Sequence, residues 1–183
     1  MIPQFKFALR EDLKDHKEFL PTRGEPKASG WDVRATEDLI IKPFEYAKIK
    51  LGFRALCPDG WWFELRPRSS TFAKKSLHAL YGVVDETYEG EIIFACQYIP
   101  TADYYNWATP STPHTISYPG VKKWEQYCLN NRLEIKRGDA IGQIIPIERR
   151  EMVVIEATNA ELDADFAARN AVRGADGFGS TSK

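Results

Sequence analysis

Strand-length apolar runs, each closed by a turn signal, restrict this 183-residue chain to a β-rich fold. Gln4 to Leu9 alternates polar and apolar residues. Ala28 to Ala35 forms a short run with Gly30 at its entry, and Leu39 to Lys42 and Tyr46 to Leu56 follow with Pro43 and Glu45 at their turn. Pro58-Asp59-Gly60 is turn chemistry ahead of Trp61 to Leu65. Ile92 to Ile99, Leu133 to Lys136, Ala140 to Ile147 and Met152 to Glu156 complete the series, with Arg137-Gly138-Asp139 as a further turn. Ala160 to Ala171 is the one good helix candidate, with Leu162, Phe166 and Ala167 at helical spacing. The pattern predicts an all-β jelly roll or distorted barrel with one short helix near the C-terminus. Pro21 to Gly30 reads as a surface loop, and the charge of Asp12 to Leu20 argues against its burial.

Composition narrows the class. With 43% apolar and 28% charged residues, the chain has enough core-forming side chains for one domain. A net charge of −1 gives no polyanion-binding surface, so no nucleic-acid partner is expected. Cys57, Cys96 and Cys128 match no zinc or paired-cysteine spacing, and the first two lie in apolar runs, which predicts buried thiols in a reducing compartment. No apolar run is long enough to cross a membrane and the start lacks a signal-peptide core, so a cytoplasmic location is expected.

The stretch Tyr81 to Glu91 reads as a β-hairpin, with Tyr81 to Val84 as the incoming strand and Ile92 to Ala95 as the outgoing one. Asp85 then stands at the rim of an apolar strand, within reach of water. Tyr88 offers a flat ring beside Gly90, which allows close approach of a backbone. The residues alone fit either an ordinary acidic turn or a site for a planar ligand and an attacking water.

Two other stretches are ambiguous alone. Arg68-Ser69-Ser70 places a guanidinium and two hydroxyls after a strand, as a solvated turn or a phosphate-binding one. The end of the chain sets Phe178 among Gly174, Gly177 and Gly179, with Arg173, Ser180 and Thr181 nearby, as a mobile terminus or a wrap for an anion. Between Pro100 and Arg132, Tyr104, Tyr105, Trp107, Tyr118, Trp124 and Tyr127 are scattered among polar residues, as a small core of their own or a recognition patch for a protein partner.

Taken together, five stretches resemble, in order, the five motifs of the trimeric dUTPase family. They are Ala28-Ser29-Gly30-Trp31-Asp32-Val33, Pro67-Arg68-Ser69-Ser70, Gly82 to Glu91, Gly138-Asp139-Ala140-Ile141-Gly142-Gln143, and Arg173 to Thr181. The resemblance implies a homotrimer that hydrolyses dUTP to dUMP and pyrophosphate. It implies a single domain over residues 1–172 with an insertion at about 100–132, and an arm over 173–183 that closes a neighbour's site. Asp85 would activate the water, and the backbone of Gly82, Val83 and Val84 would read the uracil edge. Tyr88 would lie under the deoxyribose, and Arg68, Ser69, Ser70 and Gln143 would hold phosphate oxygens. Phe178 would stack on the base while Arg173, Gly179, Ser180 and Thr181 close over the phosphates. Mg²⁺ would keep its waters, with Asp32 reaching the ion through one of them.

The sequence departs from the family pattern at Ser70, Ala140 and Gly142, and residues 71 to 84 hold no Asn. Two alternatives share the fold. A dCTP deaminase needs a glutamate on the strand after the third motif, where Ala95 stands. A binding or regulatory protein would act through the 100–132 insertion.

Overall fold

The computed structural model describes residues 2–100 and 121–169, which fall into two units, Met1–Arg149 and Arg150–Lys183. In chain order the strands of the first unit are β1 (Lys6–Leu9), β2 (Trp31–Arg34), β3 (Leu39–Ile41), β4 (Tyr46–Lys50), β5 (Phe53–Leu56), β6 (Trp61–Pro67), β7 (Leu77–Ala79), β8 (Gly82–Val84), β9 (Ile93–Tyr98), β10 (Leu133–Ile135) and β11 (Ala140–Glu148). Two helices join them, α1 (Ser69–Lys75) and α2 (Val121–Asn130). Every ladder is antiparallel, in sheets ordered β1-β5, β10-β3, β2-β11-β6-β8 and β4-β9-β7. This is the β-rich jelly-roll architecture that the apolar runs predict.

Alternation explains the faces. Val33, Ile49, Phe63, Phe94 and Ile141 are buried at inward positions of five different strands, while neighbours such as Lys48 and Lys50 face water. Each such side chain contributes about 1.5–3 kcal/mol by leaving water. Among the described residues, the buried polar side chains outside the apolar set are Thr36 and Thr71. The hydroxyl of Thr36 donates to the Lys50 carbonyl at 3.0 Å, and that of Thr71 to the Ile141 carbonyl at 2.6 Å, as buried polar groups require.

Several expectations are corrected. Tyr46 to Leu56 is two strands, broken at Gly52, whose φ of +75° suits glycine. A Cβ there would run into the Leu13 side chain and lie 2.6 Å from the Thr36 methyl. Asp12 to Leu20 does contribute to the core, because two 3-10 turns hold its charged residues outward while turning Leu13 and Phe19 in, each 2% exposed. Charge at most positions does not prevent burial at two. Helices α1 and α2 were not expected. In α2, Tyr127 is buried and stacks on Trp124 with centroids 5.6 Å apart, and Trp124 stacks on Phe44 from the β3–β4 turn at 6.0 Å. Trp124 and Tyr127 therefore pack against the β3–β4 turn, while Tyr104, Tyr105, Trp107 and Tyr118 lie outside the described residues.

The second unit holds α3 (Asn159–Ala168), the expected helix. Thr158 accepts from the Glu161 amide, and the Glu161 carboxylate accepts from the Thr158 amide in return, a capping box that fixes where the helix begins. Met152 to Glu156 is not a strand. Among the described residues it joins no ladder, and β-propensity without cross-strand neighbours to pack against does not make a strand.

Candidate active site

The stretch around Asp85 is not a hairpin. Strand β8 pairs with β6, with Phe63 opposite Val84 and Leu65 opposite Gly82, whereas β9 pairs with β4 and β7 in another sheet. The residues between β8 and β9 cross from one sheet to the other, and the carboxylates of Glu86 and Glu91 anchor that crossing. The Tyr88 amide donates to the Asp85 carbonyl at 3.0 Å, which closes a turn directly after β8. The Glu91 carboxylate accepts from the Gly52 amide at 2.9 Å and from the Arg10 guanidinium at 3.1 Å. Asp85 itself is exposed at the strand end, where a rim carboxylate was expected. Strand β8 is the last of its sheet, so one edge of the Gly82–Val84 backbone is not used by that sheet's ladder.

The tip of the Tyr88 ring rests against Gly90. A Cβ on Gly90 would fall 2.6 Å from the Tyr88 ring carbon that bears the hydroxyl, and that hydroxyl donates to the Glu91 carbonyl at 3.0 Å. The missing side chain makes the place in which the ring rests. Glu86 is the residue that sequence reasoning passed over as turn material. One carboxylate oxygen accepts from the Gly60 amide at 2.8 Å and the other from the Arg149 guanidinium at 3.0 Å. Asp85 and Glu86 line a groove of about 270 Å³ with Trp62, Val83, Thr87 and Arg149. Tyr88 faces a larger one of about 530 Å³, floored by β1 and β5.

The second group of residues gathers where β6 ends. Arg68 caps α1, so Ser69 and Ser70 occupy a helix start rather than a loose turn. The Thr71 amide donates to the Arg68 carbonyl at 3.0 Å, and the buried Thr71 hydroxyl ties this corner to β11. Arg68 Nε lies 3.4 Å from the Asp32 carboxylate on β2. Gln143 of β11 stands opposite Asp32 on one side and Arg66 on the other, and its amide fills the space where Gly30 would carry a Cβ. Arg68, Ser69, Ser70, Asp32 and Gln143 are thus brought to one end of one sheet. Asp139, in the turn before β11, accepts from Lys75 Nζ at 2.9 Å. Burial pushes its carboxyl up, but Lys75 and the Lys136 amide outweigh that and hold it below the usual carboxylate range.

The two groups do not meet within one chain. Asp85 follows Val84, which faces Phe63 near the start of β6, whereas Arg68 follows the last residue of β6. Six residues of extended strand put them about 20 Å apart. Arg173, Phe178, Gly179, Ser180 and Thr181 lie outside the described residues. Among the described residues no three His, Cys, Asp or Glu side chains cluster closely enough to hold a metal ion. A cation held here would rest on substrate oxygens and water with one nearby carboxylate, Asp32, and that donor set fits Mg²⁺.

Comparison with known proteins follows the same line. The family model described as dUTPase matches residues 17–97. A deoxyuridine 5'-triphosphate nucleotidohydrolase from Thermobifida fusca is 30% identical over 164 residues, covering 88% of this chain and 72% of that protein. The human mitochondrial protein of the same name is 29% identical over 163 residues, covering 89% of this chain, which spans half the length of that relative. Among solved structures, a mutant dUTPase of Staphylococcus bacteriophage 80alpha with dUpNHpp superposes with a TM-score of 0.63 at 19% identity, over 97% of this chain and 98% of that one.

Proposed function

The chain belongs to the dUTPase family, and on that premise we propose that it hydrolyses dUTP to dUMP and pyrophosphate with Asp85 as the base, in a homotrimer. The reaction joins a water oxygen to the α-phosphorus and breaks the bond from that phosphorus to the bridging oxygen, and pyrophosphate leaves. Asp85 accepts the proton of the water, which requires an exposed carboxylate held at the end of a strand. The unused edge of Gly82, Val83 and Val84 hydrogen-bonds the uracil edge. Tyr88, seated on Gly90, supports the deoxyribose and leaves no room for a 2′-hydroxyl. Arg68, Ser69, Ser70 and Gln143 hold the phosphate oxygens, where positioning and charge neutralisation matter most. Mg²⁺, when bound, would supply neutralisation of phosphate charge. Asp32, itself fixed by Arg68 at 3.4 Å, would hold the ion through water. Arg173, Phe178, Gly179, Ser180 and Thr181 close over base and phosphates.

The observation that supports a site shared between chains, as a homotrimer would have, is the separation of Asp85 from Arg68 along β6. A phosphorus atom cannot lie within reach of two groups about 20 Å apart, so each chain carries two half-sites and a second copy completes each one. The deaminase alternative meets Ala95 on β9, opposite Lys48, at the position where its proton shuttle would be needed. The thiols favour a reducing, cytoplasmic location: Cys57, Cys96 and Cys128 are all free, and burial pushes Cys96 up to about 11.

The test is a panel of deoxy- and ribonucleoside triphosphates, with and without magnesium, read by pyrophosphate release. The expected result is magnesium-dependent turnover of dUTP, abolished in Asp85→Ala and absent with UTP. Equal turnover of dUTP by Asp85→Ala would remove the carboxylate from the reaction.

A further inference from the structure

One row of side chains crosses the whole four-stranded sheet at the phosphate corner. Asp32 on β2 faces Gln143 on β11, and Gln143 faces Arg66 on β6. The pairing of Leu65 with Gly82 carries the row one step further, to Tyr81 just before β8, and the Arg66 guanidinium lies 5.5 Å from the centre of that ring. Residues directly opposite on neighbouring antiparallel strands point to the same face. Arg66 therefore shares the face of Asp32 and Gln143, beside the corner that Arg68 occupies.

We propose that Arg66 is a second guanidinium for the substrate's polyphosphate, held ready by Glu64 and Tyr81. This rests on the dUTP-hydrolysing reading of the same corner and adds a residue to it. Three observations support the role. Arg66 is half exposed, as a ligand-binding group must be, yet it is held, with Nη2 2.6 Å from the Glu64 carboxylate. Glu64 is two residues back on the same strand and so on the same face. A guanidinium carries five N–H donors in a fixed fork, so a carboxylate bonded to one nitrogen does not exhaust it. The exposed Tyr81 ring adds a cation–π interaction that costs the guanidinium none of its donors. Arg68 at this corner lies 3.4 Å from Asp32, and Arg66, bonded to Glu64 through Nη2 alone, brings further N–H donors for phosphate oxygens.

Binding tests it without relying on turnover. The affinities of deoxyuridine and of a dUTP analogue with an imido bridge between its α- and β-phosphates are measured by calorimetry for the wild type, Arg66→Ala, Arg66→Lys and Tyr81→Ala, with the mass of each assembly recorded. The expected result is that Arg66→Ala weakens the analogue about tenfold, as removal of one charge-assisted hydrogen bond should, and leaves deoxyuridine within about twofold. Arg66→Lys should recover part of the affinity, Tyr81→Ala should show a smaller decrease, and all assemblies should keep their mass. Analogue affinity unchanged in Arg66→Ala, deoxyuridine weakened in parallel, or an assembly of altered mass would each overturn the proposal. A wild type that binds the analogue without hydrolysing dUTP contradicts the catalytic reading alone, since the effect of Arg66 is still read from binding.

Discussion

Glu86 and Arg149 close a three-cornered lock behind Asp85. The Arg149 guanidinium donates to Glu86 at 3.0 Å, the Gly60 amide donates to the other Glu86 oxygen at 2.8 Å, and the Arg149 amide donates to the Gly60 carbonyl at 2.7 Å. The turn before β6, the end of β11 and the segment bearing Asp85 are thereby joined through one carboxylate. Glu86→Ala removes two bonds and should cost about 1–2 kcal/mol in unfolding free energy. Arg149→Ala, removing a half-exposed ion pair, should cost about 0.5–1 kcal/mol. Both should lower kcat for dUTP more than they change KM, because a loosened Asp85 affects the attack and not the phosphate grip. Urea unfolding with steady-state kinetics checks this, and a KM effect without a kcat effect would contradict it.

Gly142 stands where the related motif often has alanine, and its neighbours explain why. A Cβ there would come 2.8 Å from the Phe94 ring and 3.0 Å from the Arg66 carbonyl. Phe94 is fully buried and the carbonyl belongs to the β6 ladder, so neither can move aside freely. Gly142→Ala should destabilise by about 1–3 kcal/mol, as overpacking does, and pairing it with Phe94→Leu should recover part of the loss. Thermal unfolding of the single and double variants measures it.

Gly90→Ala should act differently. The group in the way is the tip of Tyr88, a side chain that can swing, so stability should change by less than about 0.5 kcal/mol. The displaced ring would no longer wall off the 2′ position. The ratio of kcat/KM for dUTP over UTP should fall by about tenfold. An unchanged ratio would mean that Tyr88 does not discriminate the sugar.

The Asp139–Lys75 ion pair predicts an acid-sensitive corner. The folded-state pKa of Asp139 is depressed, so its stabilising contribution is present above the unfolded value, about 3.9, and is lost as pH falls through the folded value. Asp139→Asn should therefore lower stability at neutral pH, and the gap from the wild type should close as acid protonates the native carboxyl. A gap that stayed constant down to low pH would assign the loss to packing rather than to charge.

Much of this was legible in the residues, and the exceptions have physical causes. The strands ending at Pro58-Asp59-Gly60 and Gly138 were legible because turn chemistry is local. The positions of Asp32, Arg68 and Gln143 along the chain were legible too, but that register sets Asp32, Gln143 and Arg66 abreast was not, since pairing joins strands far apart in sequence. The presumed hairpin failed for the same reason: Val84 and Ile93 sit close in the chain but find partners in different sheets. Helix α2 did carry a local signal, with Trp124 followed by Tyr127 and Cys128 at helical spacing, hidden by the proline-rich stretch before it. Helix α1 carried little, because its start is made of hydroxyl residues that suit a turn equally well.

The central claim is that Asp85 of one chain works with Arg68 of another, and mixing two inactive variants tests it most directly. Asp85→Asn and Arg68→Ala are each purified, then unfolded together and refolded as mixed assemblies. Each variant alone should be nearly inactive on dUTP. The mixture should regain about a quarter of wild-type activity, since random assembly at equal amounts sets an intact Asp85 against an intact Arg68 in about one site in four. Mixed assemblies that form but stay as inactive as their parents would contradict a site shared between chains.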